Sequence, residues 1–399
     1  MEAAIREVLS GAAAERVLDV LFRADRSLSA DRRAAVAEAV FGVGLWRRRL
    51  AWQLGADDAD PSGCDPRALL FSLMRDLAGV AESAAADISG LELPPPPRGV
   101  PDSWRVRESF PDWLADLLEA ELGPHGAADF AAAVNVRGPV VLRANRLVCA
   151  DRDALAAALQ HEGVPTVAGR WAPDALIVTG TRPNLLGLEA NRNASFEVQD
   201  EGSQLLGELV GAAPGMRVLD FCAGAGGKSV QLASILRNRG ELHAWDVDTA
   251  RLERLRVRAQ RAGATCVRIH RAPPPSSLLV DAVLVDAPCS ELGPLRRGPD
   301  VRWRLDPGVL RSLPQTQQAI LTQAQAHVRP GGRLVYATCT IHRAENEDVV
   351  AWFERTFPDF ERATPDAPSD FIGADRLFRA LPHVHDTDGF FAAVWTRTR

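Results

Sequence analysis

Hydrophobic residues recur at helical spacing through the first quarter of the chain. Three stretches, 12–21, 31–54 and 66–79, repeat Ala, Leu, Val and Arg with the period of a helix and lack the alternation typical of strands. Residues 1–93 are therefore predicted to form an all-α domain. Within it, Trp46 precedes three consecutive arginines. For these arginines we expect a solvated basic face beside a buried Trp, with an RNA contact as the alternative.

The pattern changes after a run of four prolines. Residues 94–101 are predicted to be a stiff linker, since proline ends helices and favours extended chain. Residues 102–198 then mix short apolar runs with helical periodicity, which predicts a small α+β domain. Its predicted elements are helices at 110–123 and 153–160 and strands at 140–145 and 175–179.

Strands alternate with helices from residue 199 to the end of the chain. Continuous apolar runs, each followed by a helix, predict a parallel, doubly wound sheet, so residues 199–399 form a third, α/β Rossmann-like domain. The whole chain is thus expected to be multidomain. The predicted strands are 216–223, 241–248, 281–288 and 332–339, and the predicted helices are 228–236 and 250–262.

Composition excludes several classes of protein. The 399 residues are 46% hydrophobic with a formal net charge of −6, and no run of 18 apolar residues is present. The first residues, MEAAIRE, lack the apolar core of a signal peptide, and the six cysteines form no CxxC pair. We expect a cytoplasmic monomer with no membrane partner and no metal. His383, His385 and Asp386 are interpreted as an ordinary loop.

A single lysine remains among 46 basic residues, and it lies at position 228. In a chain whose other basic residues are all arginine, this survival indicates that a planar guanidinium cannot replace a compact ammonium there. The alternative is survival by chance.

Lys228 follows a glycine-rich turn at the end of the first predicted strand. The turn, Gly224-Ala225-Gly226-Gly227, fits neither the phosphate-binding loop of nucleotide hydrolases nor the dinucleotide fingerprint. Asp246 ends the second strand, where a carboxylate can hold ribose hydroxyls. A nucleoside without a long phosphate chain fits this pattern, so we predict S-adenosylmethionine; some NAD enzymes would pass the same test.

Two cysteines lie at the ends of the other two strands, Cys289 in DAPCS and Cys339 in ATCT. A lone cysteine is more often a small buried hydrophobe, but a pair beside a nucleoside loop suggests chemistry. Carbon 5 of cytosine is a poor nucleophile and needs covalent addition at carbon 6 first, for which a thiolate is well suited. Positive surroundings are expected to favour the thiolate of Cys339. A second cysteine can then assist proton removal and release.

Together these segments resemble the RNA cytosine-C5 methyltransferases of the RsmB/Sun type. The resemblance rests on DFCAGAGGKS, HAWDVDTARL, VDAPCSELGPLRRGPDVRW, GGRLVYATCT with Glu345-Asn346-Glu347, VQDEGSQLL and DGFFAAVW. It implies methyl transfer from S-adenosylmethionine to a cytosine in small-subunit ribosomal RNA, or in transfer RNA. The helical first domain is similar to NusB-like RNA-binding domains, and the resemblance implies that residues 102–198 act as an RNA-binding or linker domain.

The resemblance also implies a role for each matching position. Cys339 corresponds to the nucleophile and Cys289 to the cysteine that assists release, while Asp286 and Lys228 hold the target base. Arg296 and Arg297 are candidate RNA phosphate contacts. The residues expected to bind the cofactor are Cys222, Ala223, Gly224, Ala225, Gly226, Gly227, Lys228, Asp246, Arg251 and Asp286.

Some positions depart from the family pattern. The loop reads GAGGK instead of APGGK, Ser229 replaces Thr, and Leu292 stands where Thr is usual. Ala272 stands where an Asp near the adenine is expected, and losing that hydrogen bond would weaken cofactor binding about three- to tenfold. These departures motivate an alternative, a catalytically weak or inactive RNA-binding ribosome-assembly factor. Another methyltransferase, or a nucleotide-dependent oxidoreductase on the same sheet, is a further alternative.

Local basic segments offset the acidic total. Residues 251–271 contain seven Arg and one Glu, and residues 296–311 contain five Arg and two Asp. We expect these segments to bind RNA phosphates in a salt-dependent way. Trp303 is interpreted as buried, with stacking on a base as the alternative.

Overall fold

Two compact units make up the computed structural model, which describes residues 1–91, 96–180, 183–298 and 300–399. Unit 1 consists of residues 1–137 and 295–307, and unit 2 of residues 138–294 and 308–399. The predicted middle domain therefore begins inside unit 1, and the three-domain division stays a prediction. Of the predicted linker, Pro94 and Pro95 lie outside the described residues.

Unit 1 is helical throughout its described part. The helices predicted at 12–21, 31–54 and 66–79 are present, the last of them ending in a π-helical turn, Leu73–Leu77. Their apolar faces meet in one core built from Ile5, Val8, Leu18, Val40 and Leu69. The likeness to NusB-like domains stays a prediction. The helices are α1 (Glu2–Leu9), α2 (Ala14–Ala24), α3 (Ala30–Gln53), α4 (Pro66–Ser72), α5 (Glu82–Ser89), α6 (Trp104–Arg107) and α7 (Asp112–Asn135), with α13 (Val301–Arg304) in the second stretch.

Helix α7 is longer than predicted because it contains two helical segments. Gly123 adopts a φ of 72°, which is not helical, and Pro124 then starts a second segment that continues to Asn135. The sequence analysis ended the helix at this break.

Two of the three arginines that follow Trp46 are structural, which corrects both interpretations for them. Arg47 is 5% exposed and donates to the carbonyls of Gly44 (3.0 Å) and Val8 (3.2 Å). Arg48 is also buried, and it pairs with Asp58 at 2.8 Å and Asp112 at 2.7 Å. Neither a solvated face nor an RNA contact describes these two side chains.

The stretch 295–307 completes unit 1 through its own side chains. Asp300 Oδ2 accepts the backbone N–H of Ala14 at the start of α2 (3.2 Å). The Trp303 ring lies 4.9 Å from the guanidinium of Arg47, and its indole N–H donates to the carbonyl of Leu45 (3.4 Å). Since one face of this ring is covered by an arginine, Trp303 serves packing within unit 1.

Unit 2 begins with a small antiparallel sheet in the order β2-β3-β1-β4. The strands predicted at 140–145 and 175–179 and the helix predicted at 153–160 are present. The strands are β1 (Val141–Ala144), β2 (Thr166–Ala168), β3 (Ala175–Val178) and β4 (Phe196–Val198); the helices are α8 (Arg152–His161) and α9 (Glu189–Arg192).

The larger sheet of unit 2 runs in the order β10-β12-β9-β8-β5-β6-β7, with β11 beside β12. Strands β5 to β9 are parallel, as predicted, whereas β12 pairs antiparallel with β9. The strands are β5 (Arg217–Asp220), β6 (Glu241–Trp245), β7 (Val267–His270), β8 (Val280–Asp286), β9 (Val328–Thr338), β10 (Phe360–Ala363), β11 (Phe378–Ala380) and β12 (Phe390–Arg397).

Helices cover both faces of this sheet. One core joins alternate strand residues such as Val218 to Leu232 and Leu255, and the other joins Leu219 to Leu321 and Phe353. No helix among the described residues is both long and apolar enough to cross a bilayer. The helices are α10 (Glu201–Glu208), α11 (Gly227–Leu236), α12 (Thr249–Arg261), α14 (Pro307–Ala324), α15 (Glu347–Thr356) and α16 (Pro382–His385).

Strand order determines where a ligand can bind. The chain passes from β5 outward to β6 and β7, then returns to β8 on the other side of β5. This reversal opens a crevice at the carboxyl ends of β5 and β8, the usual binding place in sheets of this kind.

Candidate active site

Asp220 ends β5 and is fully buried beneath the glycine loop. Its Oδ2 accepts a hydrogen bond from Ser229 Oγ at 2.6 Å, and its Oδ1 has no partner among the described residues. Burial raises the pKa of Asp220 to about 7. Asp220 was not among the predicted site residues, although a carboxylate directly before a glycine loop could have indicated it.

The glycine loop turns tightly between β5 and α11. Gly226 has a φ of +88°, and a side chain there would lie 2.7 Å from Leu255, so only glycine fits without displacement. Gly224 donates its N–H to Asp246 Oδ2 at 2.9 Å. The predicted loop residues 222–228 and the predicted ribose carboxylate are thus brought together.

The rim of this loop carries further predicted cofactor residues. Asp246 is half-buried, and its Oδ1 accepts the N–H of Asp248 at 2.8 Å. Val247 between them is 82% exposed. Arg251 is exposed in the first turn of α12, with its Nε 3.6 Å from Asp248 Oδ2. Ala272, just beyond β7, is exposed and has no hydrogen-bonding side chain.

The two predicted catalytic cysteines lie side by side. Cys289 Sγ and Cys339 Sγ are 3.3 Å apart, and the backbone N–H of Cys339 also points to Cys289 Sγ at 3.3 Å. Parallel pairing of β8 and β9 continues into the loops, since the N–H of Ala287 donates to the carbonyl of Ala337 at 2.9 Å. The sheet therefore aligns both thiols.

Lys228 forms an ion pair with Asp286, with Nζ 2.7 Å from Oδ2. Burial alone would lower the pKa of Lys228, but attraction by Asp286 and the hydrogen bond between them outweigh burial and raise it. The lone lysine of the chain thus lies at the same edge as the cysteines, fully charged and held by a carboxylate.

The acidity of Cys339, the predicted nucleophile, differs from our expectation. Positive surroundings were expected to favour the Cys339 thiolate, but the pKa of Cys339 is raised well above its ordinary value. The hydrogen bond with Cys289 contributes most, followed by burial and by the negative charges of Asp286 and Glu291. The expectation rested on the number of arginines in the sequence and did not include Asp286, whose negative charge offsets that of Lys228. The thiol is therefore protonated in the free protein.

Behind the cysteines lie two buried polar residues, Glu345 and Asn346. The sequence analysis used them only as part of a resemblance. Their position a few residues after a strand that ends at the site was the available signal, because buried polar groups there must bond to the site loops.

Close backbone approach also shapes the Cys289 loop. Gly293 donates its N–H to the carbonyl of Cys339 (2.9 Å), and a side chain at Gly293 would collide with the carbonyl of Gly389. Glycine is required here by space, not by its backbone angles.

Other predicted residues lie elsewhere. Arg296 and Arg297 belong to the unit 1 stretch; Arg296 is buried, which speaks against a phosphate contact, and Arg297 is exposed, so its RNA contact stays a prediction. His383 and His385 belong to the short helix α16, not to a loop as expected, and Asp386 follows its end. His385 uses both ring nitrogens, with the N–H of Leu381 and the carbonyl of Asp370. Within the described ranges no cluster of side chains is arranged to hold a metal.

Two family models match the chain. Residues 209–396 match the model described as 16S rRNA methyltransferase RsmB/F, and residues 110–183 match the ferredoxin-like domain of RsmF/B-like methyltransferases. The second match coincides with most of the small antiparallel sheet and with α7.

Curated relatives agree with these models. The probable ribosomal RNA small subunit methyltransferase B of Synechocystis sp. is 34% identical over 296 residues, which is 71% of this chain and 66% of that protein. The ribosomal RNA small subunit methyltransferase B of Xylella fastidiosa is 35% identical over 301 residues, 71% of this chain and 68% of that protein. The match thus spans slightly under two thirds of the Synechocystis relative.

The fold is shared over the whole chain by a solved structure. The crystal structure of PH0851 aligns with a TM-score of 0.78 at 25% identity and covers 99% of this chain and 97% of its own. With the cysteine pair, the glycine loop and the matched relatives on one chain, this protein belongs to the RsmB/Sun family of RNA methyltransferases.

Proposed function

We propose that the protein transfers a methyl group from S-adenosylmethionine to carbon 5 of a cytosine in RNA, with small-subunit ribosomal RNA as the substrate. The observation that carries this proposal is the pair of thiols 3.3 Å apart at the sheet edge that also holds the Lys228–Asp286 ion pair. Covalent activation of a pyrimidine needs one nucleophile and one group that assists release. The pair supplies both.

The glycine loop and its carboxylate fit the cofactor. Asp246 is held by two backbone N–H groups at the mouth of the loop and retains lone pairs for ribose hydroxyls. The exposed Val247 offers apolar surface for a flat base. When bound, the cofactor supplies an electrophilic methyl group. Residues 222–228, Asp246 and Asp286 would hold it.

RNA is the larger partner, and its base must leave the stack to reach thiols at the crevice. Arg254 and Arg271 are exposed beyond β6 and β7, and no ion pair engages either side chain within the described part of the chain. Their charge suits phosphates, so we expect binding that weakens with salt.

Addition to the ring begins with a protonated Cys339. Its sulfur bonds to carbon 6, and its proton moves to N3 of the cytosine, with Asp286 as the carrier. Lys228 holds Asp286 in place and stabilises the polarised base. A raised thiol pKa keeps the nucleophile inert until a base is present to take up the proton.

Release reverses the addition after carbon 5 carries the methyl group. Cys289 relays the carbon-5 proton to water, the bond between Cys339 sulfur and carbon 6 breaks, and the ring double bond is restored. The N3 proton returns to the departing sulfur. Atoms and charges balance, and both cysteines end as thiols.

The test is transfer of a labelled methyl group to unmodified small-subunit ribosomal RNA. We expect label on cytosine carbon 5 with the intact protein, none with Cys339→Ala, and a covalent protein–RNA adduct that accumulates with Cys289→Ala. Rapid turnover by Cys289→Ala would contradict its release role.

A second candidate function is an RNA-binding assembly factor without catalysis, which the absence of a polar side chain at Ala272 favours. It predicts RNA binding without methyl transfer at saturating cofactor. A direct measurement of cofactor binding then separates a lost cofactor site from a wrong RNA.

A further inference from the structure

Cys289 is bracketed by hydrogen bonds on both of its peptide neighbours. On one side, the carbonyl of Pro288 accepts a hydrogen bond from Gln317 Nε2 at 3.0 Å. On the other side, the N–H of Ser290 donates to Glu345 Oε2 at 3.0 Å. Gln317 Nε2 also donates to Glu345 Oε2 at 2.9 Å, which closes the bracket. The peptide groups that aim Cys289 are therefore fixed by one carboxylate and one amide.

Cys339 is bracketed in the same way by one side chain. Thr338 Oγ1 donates to Asn346 Oδ1 at 2.7 Å, and Asn346 Nδ2 donates to the carbonyl of Thr340 at 2.9 Å. These three residues are buried. The amide of Asn346 thus spans the residues before and after the thiol, using its acceptor on one and its donor on the other.

The two brackets come from consecutive residues of the chain. The carbonyl of Glu345 accepts the hydroxyl of Tyr336 at 2.6 Å, which anchors the pair to β9. Ser290 Oγ and Thr340 Oγ1 lie 2.7 Å apart and join the two cysteine loops directly. Since a buried network of this kind has little freedom, a change at either bracket moves its own thiol more than the other.

We propose that Glu345 and Asn346 are positioning residues that divide the reaction between them: Asn346 aims Cys339 for attack, and Glu345 aims Cys289 for release. This inference rests on the proposed function, because it assigns one half of that reaction to each bracket. Neither residue touches the reacting base; each acts through the cysteine it holds.

The division predicts opposite effects on the covalent intermediate. Loss of the Asn346 bracket slows formation of the bond between sulfur and RNA, so little adduct is present at any time. Loss of the Glu345 bracket leaves attack intact and slows release, so adduct accumulates. Misplacement of a reacting group by about 1 Å costs about 100-fold in rate, which sets the expected size of each effect.

The two oxygens of the Glu345 carboxyl differ in their hydrogen bonds, which makes Glu345→Gln a conservative substitution. Its Oε1 is buried and has no partner among the residues that the structure describes, and burial raises the pKa of this carboxyl. Glu345→Gln keeps an oxygen acceptor for Ser290 and places the new amide on the side without a partner. We expect it to retain activity within about threefold, whereas Glu345→Ala should not.

The experiment compares five variants under single-turnover conditions with unmodified small-subunit ribosomal RNA. Methyl transfer and the fraction of protein in a detergent-stable RNA adduct are followed together for Glu345→Ala, Glu345→Gln, Asn346→Ala, Gln317→Met and Glu347→Gln. Glu347 is the matched control, because it adjoins the pair but bonds to Arg379 at 2.7 Å.

We expect adduct to accumulate with Glu345→Ala and Gln317→Met, and adduct formation to slow about 10–100-fold with Asn346→Ala. Glu347→Gln should match the unchanged protein. If Glu345→Ala does not fold, Gln317→Met tests the same bracket without a change of charge. Equal loss of methyl transfer in the Glu345→Ala and Asn346→Ala variants, with an unchanged adduct fraction, would overturn the proposal. Full activity of both variants would overturn it as well. Failure of the proposed function is distinct, since the unchanged protein would then give neither label nor adduct.

Discussion

Lys228 in unit 2, with a side chain 13% exposed, and Arg302 in unit 1, which is fully buried, are both cations largely removed from water, but their surroundings differ. Lys228 has a carboxylate partner, Asp286 at 2.7 Å, and its pKa is raised. Arg302 has no ion pair within the described ranges; its guanidinium lies 4.0 Å from the Phe110 ring and donates to Asn135 Oδ1 at 2.8 Å. Burial lowers the pKa of Arg302 to about 9.

Under the proposed function, this difference separates a cation that takes part in the chemistry from one that serves packing alone. A cation beside a carboxylate at an open sheet edge can also attract the polar atoms of an incoming base. A guanidinium enclosed by an aromatic ring and amide oxygens cannot attract an incoming base in this way. It only connects the stretch 295–307 to the helices of unit 1. Buried cations therefore gain a functional meaning from their partners, not from burial itself.

Exchange of the lysine is the strongest test of this comparison. Lys228→Arg keeps the positive charge but replaces a compact ammonium with a planar fork, which cannot occupy the same position against Asp286. We expect methyl transfer to fall about 10²–10³-fold with cofactor binding little changed. Single-turnover transfer measures this, and Arg23→Lys, an exposed exchange on α2, is the control. Unchanged transfer would mean that the lone lysine survived by chance.

Truncation of the buried arginine tests the other side. Arg302→Ala removes a large side chain from the interior of unit 1 and leaves Asn135 Oδ1 without its donor, so we expect unfolding free energy to drop by about 2–5 kcal/mol. Arg302→Met fills the same space without charge and should lose about half as much. Denaturant unfolding measures both. Equal losses would show that the charge, not the packing, stabilises unit 1.

A measurement of stability against pH extends the comparison to the buried carboxyl of Asp220, at the end of β5. The pKa of Asp220 is about 7 in the folded protein and ordinarily 3.8, so the folded state holds a proton that the unfolded state releases above pH 4. Stability contributed by this group is therefore full below pH 4 and is lost as pH rises to 7. Asp220→Asn should remove this slope, on the order of 1–3 kcal/mol between pH 4 and 7. Parallel stability curves for the two proteins would contradict the assignment.

Much of the fold follows from periodicity alone. The helices α2, α3 and α4 and the parallel strands β5, β6, β8 and β9 lie where the hydrophobic pattern predicts them. Strand β12 was not among the predicted strands, since its segment FFAAVW was used only for the resemblance. An apolar run of this kind is also the same for a parallel and an antiparallel strand.

The candidate site was predictable as far as strand ends are concerned. Cys289, Cys339, Lys228 and Asp286 meet because parallel strands end at one edge. Two features were beyond reach. Arg47 is buried by Trp303, 256 positions away, and nothing local signals such a partner. The acidity of Cys339 depends on the distance between two thiols, which a single sequence does not specify.

Unit 1 is formed by two separate stretches of the chain, and this fixes the order in which its parts can assemble during synthesis. The helices up to residue 137 leave the ribosome first, but Asp300, Arg302 and Trp303 follow only after β8 and the Cys289 loop have been made. At about 5–20 residues per second, the gap from residue 137 to residue 307 lasts roughly 10–30 s. Until then Arg47 lacks its aromatic cover and α2 lacks the carboxylate at its first turn. The helical unit is thus the first to emerge and can be completed only after part of the second unit exists.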